Sequence, residues 1–450
     1  MKRRSFLASA AAIAAYLCVQ RVRAATFSQP LLTRRNVTSA SALTDIETLK
    51  EGVRILAANG NAEQYTSWMY WANSHGTPDP IPTSMERVWY RCEHGSMHFL
   101  SWHRAYLYYF EELIRQITKN ADFALPYWNW YAGSEIPQAF ATTANNTLHH
   151  VPRNYVKRAL LRDALSASTF RGFSSLLEGN PHGTVHVMVG GDMGGIDTSA
   201  RDPLFWAHHA NVDRLWEVWR AKDPARHQNP SDEAWLMRSF VFDLAGEKTL
   251  RAGQLFDTSS LGYVYDSVSE QEAGVTVPPR PTKVIRVAAN AEESGASGDA
   301  PRVLGRAKEV VLSDESVSFR FEIGQSDRVR LSAVPESSSP KPPDVYVRLR
   351  DIKLTTHGRL HGFEFRLYVN LPNGVAGGVP HEAFYVGSIN SFQLSGKHSH
   401  DLRFSLQDIA GKQASLDLWS NTEVLFSVLS TQPAEEPLVS IGAAELVLGS

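Results

Sequence analysis

Six histidines of the chain fall into two triplets: His75, His94 and His103, and His182, His186 and His209. In the first, His94 opens the run His94-Gly-Ser-Met-His-Phe-Leu-Ser-Trp-His103-Arg104; the second is spread over PHGTVH and FWAHHANVDR. Neutral imidazole is a good ligand for copper, whereas a catalytic zinc site usually adds a carboxylate or keeps one position for water. Neither triplet contains a thiolate. Two all-imidazole sites point to a pair of copper ions.

Such ligands need elements that aim them. His182 and His186 are four apart and share one face of a helix. His94 and His103 are nine apart, about 180° around a helix, so one regular helix cannot direct both at one metal. His94 is therefore expected in the loop before the helix that carries His103. That helix reads WHRAYLYYFEELIRQIT, with Tyr106, Tyr109, Phe110 and Leu113 at helical spacing and Glu111 and Glu112 polar between them. A second ligand helix opens at Asp202-Pro203, a capping residue followed by proline, and runs through His209 to about Ala221. His208 and His209 lie about 100° apart on it, so only one can face the metal. Four helices converging on two metals make a bundle-core site. Further helices are predicted over residues 42–59, capped by Ser41 or Thr44 and closed by Gly60, over 63–74 and over 153–167, with a loop-like stretch from Tyr131 to about Leu148.

These residues resemble the type-3 copper proteins: tyrosinases, catechol oxidases and related polyphenol oxidases, including bacterial ones. The resemblance covers roughly residues 30–270 and rests on HxxxxFLxWHR, PYWNW, PHxxVH and DPLFWAHHANVDRLWEVW in family order. It implies that His75, His94 and His103 hold the first copper and His182, His186 and His209 the second, the second member of the His208-His209 pair being the ligand. A lone histidine is more often an ordinary core or surface residue. Six at matching spacings are not. The family's cofactors are two copper ions with dioxygen as co-substrate, and its substrates are small phenols. Glu178, four residues before His182, corresponds to a glutamate that holds a water near the second copper and can accept a proton; without the resemblance it reads as a surface acid. Gly183 follows the first ligand of the second copper, where an asparagine tends to accompany monophenol activity. The resemblance thus implies diphenol oxidation with weak or absent hydroxylation. Val187 offers no positive charge to a substrate carboxylate. Met193, Ile196 and Phe205 correspond to entrance residues, apolar as a phenolic ring requires. Asp213 or Asn211 is expected to orient the histidines, the simpler reading being an Asp213-Arg214 surface pair. A full tyrosinase, an o-aminophenol oxidase and a reversible oxygen carrier would use the same ligands; a non-catalytic binding module is disfavoured by the complete set.

The cysteines add a separate clue. Lys2-Arg3-Arg4-Ser5-Phe6-Leu7, the apolar stretch Ala8 to Val19 and the small-residue site Val22-Arg23-Ala24 read as a twin-arginine export signal over 1–24, implying a periplasmic or secreted protein. The stretch is too short for a membrane span of about 20 residues. Removing the signal removes Cys18 and leaves Cys92 alone, so no internal disulfide can form. Fungal-type members of the family with Cys-x-His at this place form a thioether, so Cys92 is expected to be joined to His94 and to fix a ring that no helix holds. A buried inert thiol is the plainer reading.

Leu261-Gly-Tyr-Val-Tyr265 resembles the tyrosine motif that ends the family's catalytic domain, packed near an arginine, here Arg34 or Arg35. The catalytic domain is accordingly placed at 25–270. Residues 271–305, with PPRP and AANAEESGASGDAP, have linker composition. From about 306 the pattern has period two, VSFRFEI, VRLSAV, DVYVRLRDIKL, GFEFRLYVNL, LRFSLQDI, EVLFSVL and VSIGAAELVL, which predicts an antiparallel β-sandwich over 306–450. The fold class is thus a mainly α catalytic domain with a four-helix-bundle dicopper core, followed by an antiparallel β-sandwich. The second domain resembles that of latent polyphenol oxidases, which covers the copper site and inserts a side chain into its entrance. The loop 372–384 is the candidate for that role; a purely stabilising domain is the alternative. His398-Ser-His400 beside Lys397 could hold copper transiently, though a solvated loop is the simpler reading. A net charge of -2 gives no basic field for nucleic acid or anionic membrane. Eleven tryptophans fit a large packed core around the metal helices.

Overall fold

A computed structural model describes residues 31–143, 145–155, 160–270, 283–287, 301–313, 315–321, 323–333, 344–360, 363–371, 384–396, 400–406, 409, 422–428 and 436–449. The expected export signal, residues 372–383 of the candidate loop, Lys397 and His398 lie outside these residues.

The first domain is built on helices Leu43–Ala58 (α1), Trp68–His75 (α2), Phe99–Thr118 (α3), Phe170–Leu177 (α4), Thr184–Val189 (α5) and Leu204–Lys222 (α6). Every residue of α6 from Leu204 to Trp216 is buried, so it has no solvent stripe. It runs through the middle of the domain, with the Trp206 ring stacked on Phe110 of α3. Trp71, Trp102, Trp128, Trp130, Trp206, Trp216 and Trp219 are all fully buried. The PYWNW motif braces α6: the Trp128 amide donates to the Ala207 carbonyl and the Trp130 indole to His208.

Three predicted helices differ. Ser39, not Ser41 or Thr44, caps the turn that leads into α1, and Asn59 closes it one residue before Gly60. The second helix begins at Trp68 rather than 63, because Asn59, Gln64, Thr66 and Ser67 bond to one another and hold 59–67 as a turn. It also extends through His75. Among the described residues of 153–167 only Asp163–Ser166 is helical, as one 3-10 turn. Arg153 is instead committed to Asp202 and to the Phe140 and Leu148 carbonyls, which fixes the chain outside a helix.

The short strand Leu32–Arg34 (β1) is paired in parallel with Tyr263–Tyr265 (β4), after a ribbon of Ser239–Val241 (β2) and Thr249–Arg251 (β3). This pairing delivers Arg34, not Arg35, to the tyrosine motif. Its guanidinium donates to Glu111 at 2.8 Å, Asp213 at 3.2 Å and the Tyr265 hydroxyl at 3.1 Å, and lies 3.7 Å over the Tyr263 ring. Arg35 pairs with Asp45. Burial would lift the Asp213 carboxyl, yet Arg104 and Arg34 hold it below its ordinary value. Arg34→Met should therefore cost about 3–5 kcal/mol by leaving two buried carboxylates short of a cation. Urea unfolding of the two proteins measures it, and a loss under about 1 kcal/mol would contradict the network's role.

The second domain is a sandwich of two sheets. One contains Lys283–Val287 (β5), Val317–Phe321 (β7), Glu364–Val369 (β9), Tyr385–Asn390 (β10) and Thr422–Val428 (β12) in the order β10-β9-β12-β7-β5. The other contains Arg302–Leu312 (β6), Val345–Leu354 (β8), His400–Ser405 (β11) and Val439–Leu448 (β13) in the order β11-β8-β13-β6. All pairings are antiparallel except β5 with β7. The predicted linker is thus interrupted by a strand at 283–287, and β6 starts four residues before 306. VRLSAV, expected as a strand, lies largely in the helix Gln325–Ala333, where Asp327 sits in the favourable first turn, Leu331 is buried and Val329 is exposed. Every residue of β9 and β10 is buried. One side fills the sandwich; the other carries Tyr368 and Tyr385 into the core of the helical domain.

Candidate metal centre

His75 ends α2, His103 lies one turn into α3 and His209 lies in α6. His94 stands in the turn before α3, as the nine-residue spacing requires. Residues Glu178–Gly183 form a wide turn, with Asn180 in an extended conformation before Pro181, and run on into α5. His182 and His186 still share one face, their ring centroids 4.7 Å apart.

All six side chains converge. His75 Nε2 faces His94 Nε2 at 3.1 Å, and His186 Nε2 faces His209 Nε2 at 3.2 Å. The His103 ring stacks on His209 with centroids 4.4 Å apart, and His182 lies 5.0 Å from His209. Backbone carbonyls set the protons: His103 Nδ1 donates to Phe99 at 2.7 Å, His182 Nδ1 to Glu178 at 2.9 Å and His186 Nδ1 to Met193 at 2.8 Å. In a neutral imidazole a proton on Nδ1 leaves a lone pair on Nε2. Burial first, then the neighbouring histidines, pushes His75, His103, His182, His186 and His209 well below the ordinary imidazole range. They are neutral at neutral pH, the form in which imidazole can bind a metal.

These residues fit copper. The Nε2 atoms of His103, His182 and His208 are buried without a hydrogen-bond partner, an arrangement that favours a bound cation in this cluster over an empty apolar core. The facing pairs match the roughly 3.3 Å expected of two nitrogens bonded at about 2.0 Å to one tetrahedral ion. Asp213 and Asn211 do not orient the histidines. Asp213 is buried and taken by Arg104, Arg34, Tyr263 and Tyr265, while Asn211 accepts from Arg214, whose own acid partner is Glu270. For His103, His182 and His186 acceptors on the main chain, invisible to residue type, take that role.

His208 also reaches the second triplet, its ring stacked on His182 at 5.4 Å. Its Nδ1 accepts the Trp130 indole proton at 3.0 Å. A neutral ring must then carry its own proton on Nε2, which removes the lone pair that a metal needs.

Glu178 is buried, not a surface acid. Its Oε1 accepts from the Gly95 amide at 2.6 Å and lies 3.2 Å from His94 Nδ1, so its carboxylate faces the first triplet while its carbonyl holds His182 of the second. Cys92 is half-buried and grouped with His75 and His94. Burial, then Glu93, pushes its thiol well above the ordinary range. Phe205 lies against His209 at 4.1 Å and His75 at 4.8 Å. Met193 and Ile196 are buried, and Val187 is half-buried.

The sandwich closes the centre. Phe392, in the turn after β10, stacks flat on His186 with centroids 3.9 Å apart and planes 9° from parallel. It meets His182 and His94 edge-on. Asn390 and Gln393 brace the turn by exchanging side-chain and backbone hydrogen bonds at 2.9 and 3.2 Å. Gln393 Nε2 reaches Glu178 at 3.4 Å, and Ser395 Oγ accepts from the Ile196 amide at 2.9 Å. Residues 372–383 of the expected loop lie outside the described residues; among the described residues the side chain seated on the centre comes from the turn 391–394. An aromatic ringed by polar residues in Asn-Ser-Phe-Gln-Leu-Ser was its only sequence signal. Glycines make the approach possible: a Cβ on Gly183 would stand 3.0 Å from the Asn390 amide, and one on Gly179 only 2.4 Å from Glu364 and Ser388.

Comparison with known proteins agrees with this geometry. The common central domain of tyrosinase matches residues 65–161 and 137–222. Tyrosinase HcTyr1 of Hahella sp. (strain CCB-MM4) is 30% identical over a gapped alignment of 345 positions that covers 66% of this chain and 73% of that protein. A chloroplastic polyphenol oxidase of Malus domestica is 27% identical over a gapped alignment of 381 positions that covers 70% of this chain and 61% of that protein. Among solved structures, latent apple tyrosinase covers 94% of this chain and 98% of its own with a TM-score of 0.55 at 18% identity, a likeness of fold. No described helix is long and apolar enough to cross a membrane.

Proposed function

Because the chain belongs to the tyrosinase family and is a copper-dependent polyphenol oxidase, we propose that it oxidises o-diphenols to o-quinones with dioxygen, hydroxylates monophenols weakly or not at all, and is held latent by its sandwich domain. The observation that carries this reading is the set of six converging imidazoles beside buried Glu178, with an aromatic ring already seated on His186. His75, His94 and His103 would hold one copper, and His182, His186 and His209 the other. The copper pair supplies electron transfer from diphenol to dioxygen; two diphenols and one dioxygen give two quinones and two waters. The protein's part is to place the ring and move the proton. Phe392 marks where a flat ring fits against His186, with Phe205 beside the same cluster. Glu178, next to His94, is the base positioned to take the phenolic proton. It is released for that work when Gln393 withdraws.

Selectivity turns on Gly183, which offers no amide to help Glu178 polarise a water. Initial rates on tyrosine, tyramine, catechol and 2-aminophenol test the reading, in a Phe392→Ala background where the entrance is open. Adding Gly183→Asn should raise the tyramine-to-catechol ratio at least about fivefold. An unchanged ratio would place selectivity in the entrance, faster turnover of 2-aminophenol than catechol would favour an aminophenol oxidase, and oxygen uptake without quinone would favour a carrier. The side chain added by Gly183→Asn would also displace Asn390 and loosen the sandwich, an effect that raises every rate where Phe392 still covers His186 and cancels from the ratio of two substrates.

Cys92 and His94 are proposed to be joined by a thioether, formed with loss of two hydrogens, an oxidation for which dioxygen at the copper-loaded site would supply the oxidant. The tether would hold the ring that lies outside any helix. The copper-loaded protein is expected to weigh two hydrogens less than its sequence mass, and Cys92→Ser to show no deficit. An intact mass without the deficit in the wild type would leave Cys92 a plain thiol.

A further inference from the structure

The boundary between the two domains buries an unbalanced set of charges. Arg366 of β9 crosses from the sandwich to Asp163 in the helical domain, at 2.6 and 3.3 Å, and its Nε lies 3.4 Å from Glu364 of the same strand. Glu364 is 3% exposed, Arg366 and Asp163 2% each. One oxygen of Glu364, Oε2, has no hydrogen-bond partner, and the other lies against the Gly179 backbone. Among the described residues the other groups around it are Ser388 and Tyr385 of β10 and Tyr368 of β9, and Arg366 is the cation that acts on it. Two carboxylates therefore share one guanidinium across a closed interface. If both are ionised, a net negative charge is buried between the domains, and burial of an unmatched charge is costly.

We propose that Glu364 makes docking of the sandwich over the metal centre depend on pH, holding it shut in acid and loosening it toward neutral and alkaline pH. Exposed to water, a glutamate titrates near its ordinary value of 4.5; in the docked form burial, opposed by Arg366, pushes it up to about 7. The docked form therefore holds a proton that the open form releases. Docking is strongest below about pH 4.5 as far as this group is concerned, and it weakens as pH rises through 7. Linkage allows up to about tenfold in the docking equilibrium per pH unit across that window. The inference rests on the reading that the docked Phe392 turn blocks the site.

The charge count gives the test. Catechol oxidation by the full copper-loaded chain is measured from pH 5 to 8 and divided at each pH by that of Phe392→Ala, whose profile reports the chemistry with the entrance open. For the wild type this ratio should rise at least tenfold between pH 5 and 7.5. Glu364→Gln and Asp163→Asn each remove one acid, from different domains, and both should keep the ratio low and flat. Hydrogen exchange of residues 384–396 in the wild type, corrected for intrinsic rates, should lose protection over the same range, a readout independent of turnover and of any variant's folding. A flat wild-type ratio, or variants that rise in parallel with it, would overturn the switch while leaving latency intact. A Phe392→Ala enzyme no more active than wild type at any pH would instead remove the latency reading itself.

Discussion

Replacing Phe392 by alanine in the full chain should raise catechol turnover on the order of a hundredfold without changing copper content. The ring lies flat on His186, so in the docked state no second ring can occupy that place. Wild-type turnover then reports the small fraction of molecules whose sandwich has moved away. Truncating a buried phenylalanine typically costs about 3–5 kcal/mol, here lost from the closed form, and the same truncation frees the face of His186 even where the sandwich stays docked. Both effects act in one direction. Phe392→Leu, which keeps apolar bulk but not the flat stack, should fall between the two. Initial rates at one pH on the three full-length proteins decide it, and a gain under about threefold would mean that something other than this side chain limits access.

The paired variants His209→Ala and His208→Ala should part company. The first removes a ring whose Nε2 faces His186 at 3.2 Å, so copper is expected to drop from two toward one per chain and catechol oxidation by at least about a thousandfold. The second removes a ring whose Nδ1 is occupied by Trp130. It should keep both coppers and lose activity by about ten- to a hundredfold, the usual cost of disturbing a group that orients ligands. Copper analysis of the purified proteins separates these outcomes. Equal copper loss in both would place His208 in the coordination and reverse the tautomer argument.

Much of the centre was legible because it depends on local periodicity. The four-residue step from His182 to His186 put both on one face, and the nine-residue step from His94 to His103 excluded a shared helix; both hold in the fold even though His182 sits in the wide turn Glu178–Gly183, directly after Pro181. The sandwich was legible from strands with period two. Where prediction failed, longer-range contacts had overridden local preference. Residues 59–67 became a turn through side-chain hydrogen bonds, Arg153 was drawn out of a helix by Asp202, and Lys283–Val287 joined a sheet edge inside a stretch of linker composition. The all-buried strands β9 and β10 lost their alternation because each face meets a different domain.

By itself the sequence carried six candidate imidazoles and their chemistry, since imidazole count, spacing and residue type are properties of the chain, while the choice of His209 over His208 rested on the family resemblance. It also carried the Cys92-His94 adjacency and the missing amide at Gly183. Only the tertiary structure decided which atoms serve those ligands and what covers them. The carbonyls of Phe99, Glu178 and Met193 set the tautomers, Arg34 rather than Arg35 closed the charge network, and Phe392, more than 180 residues from His209, filled the entrance. Main-chain acceptors leave no mark on residue identity, and a contact between distant domains is set by packing, which no local pattern encodes.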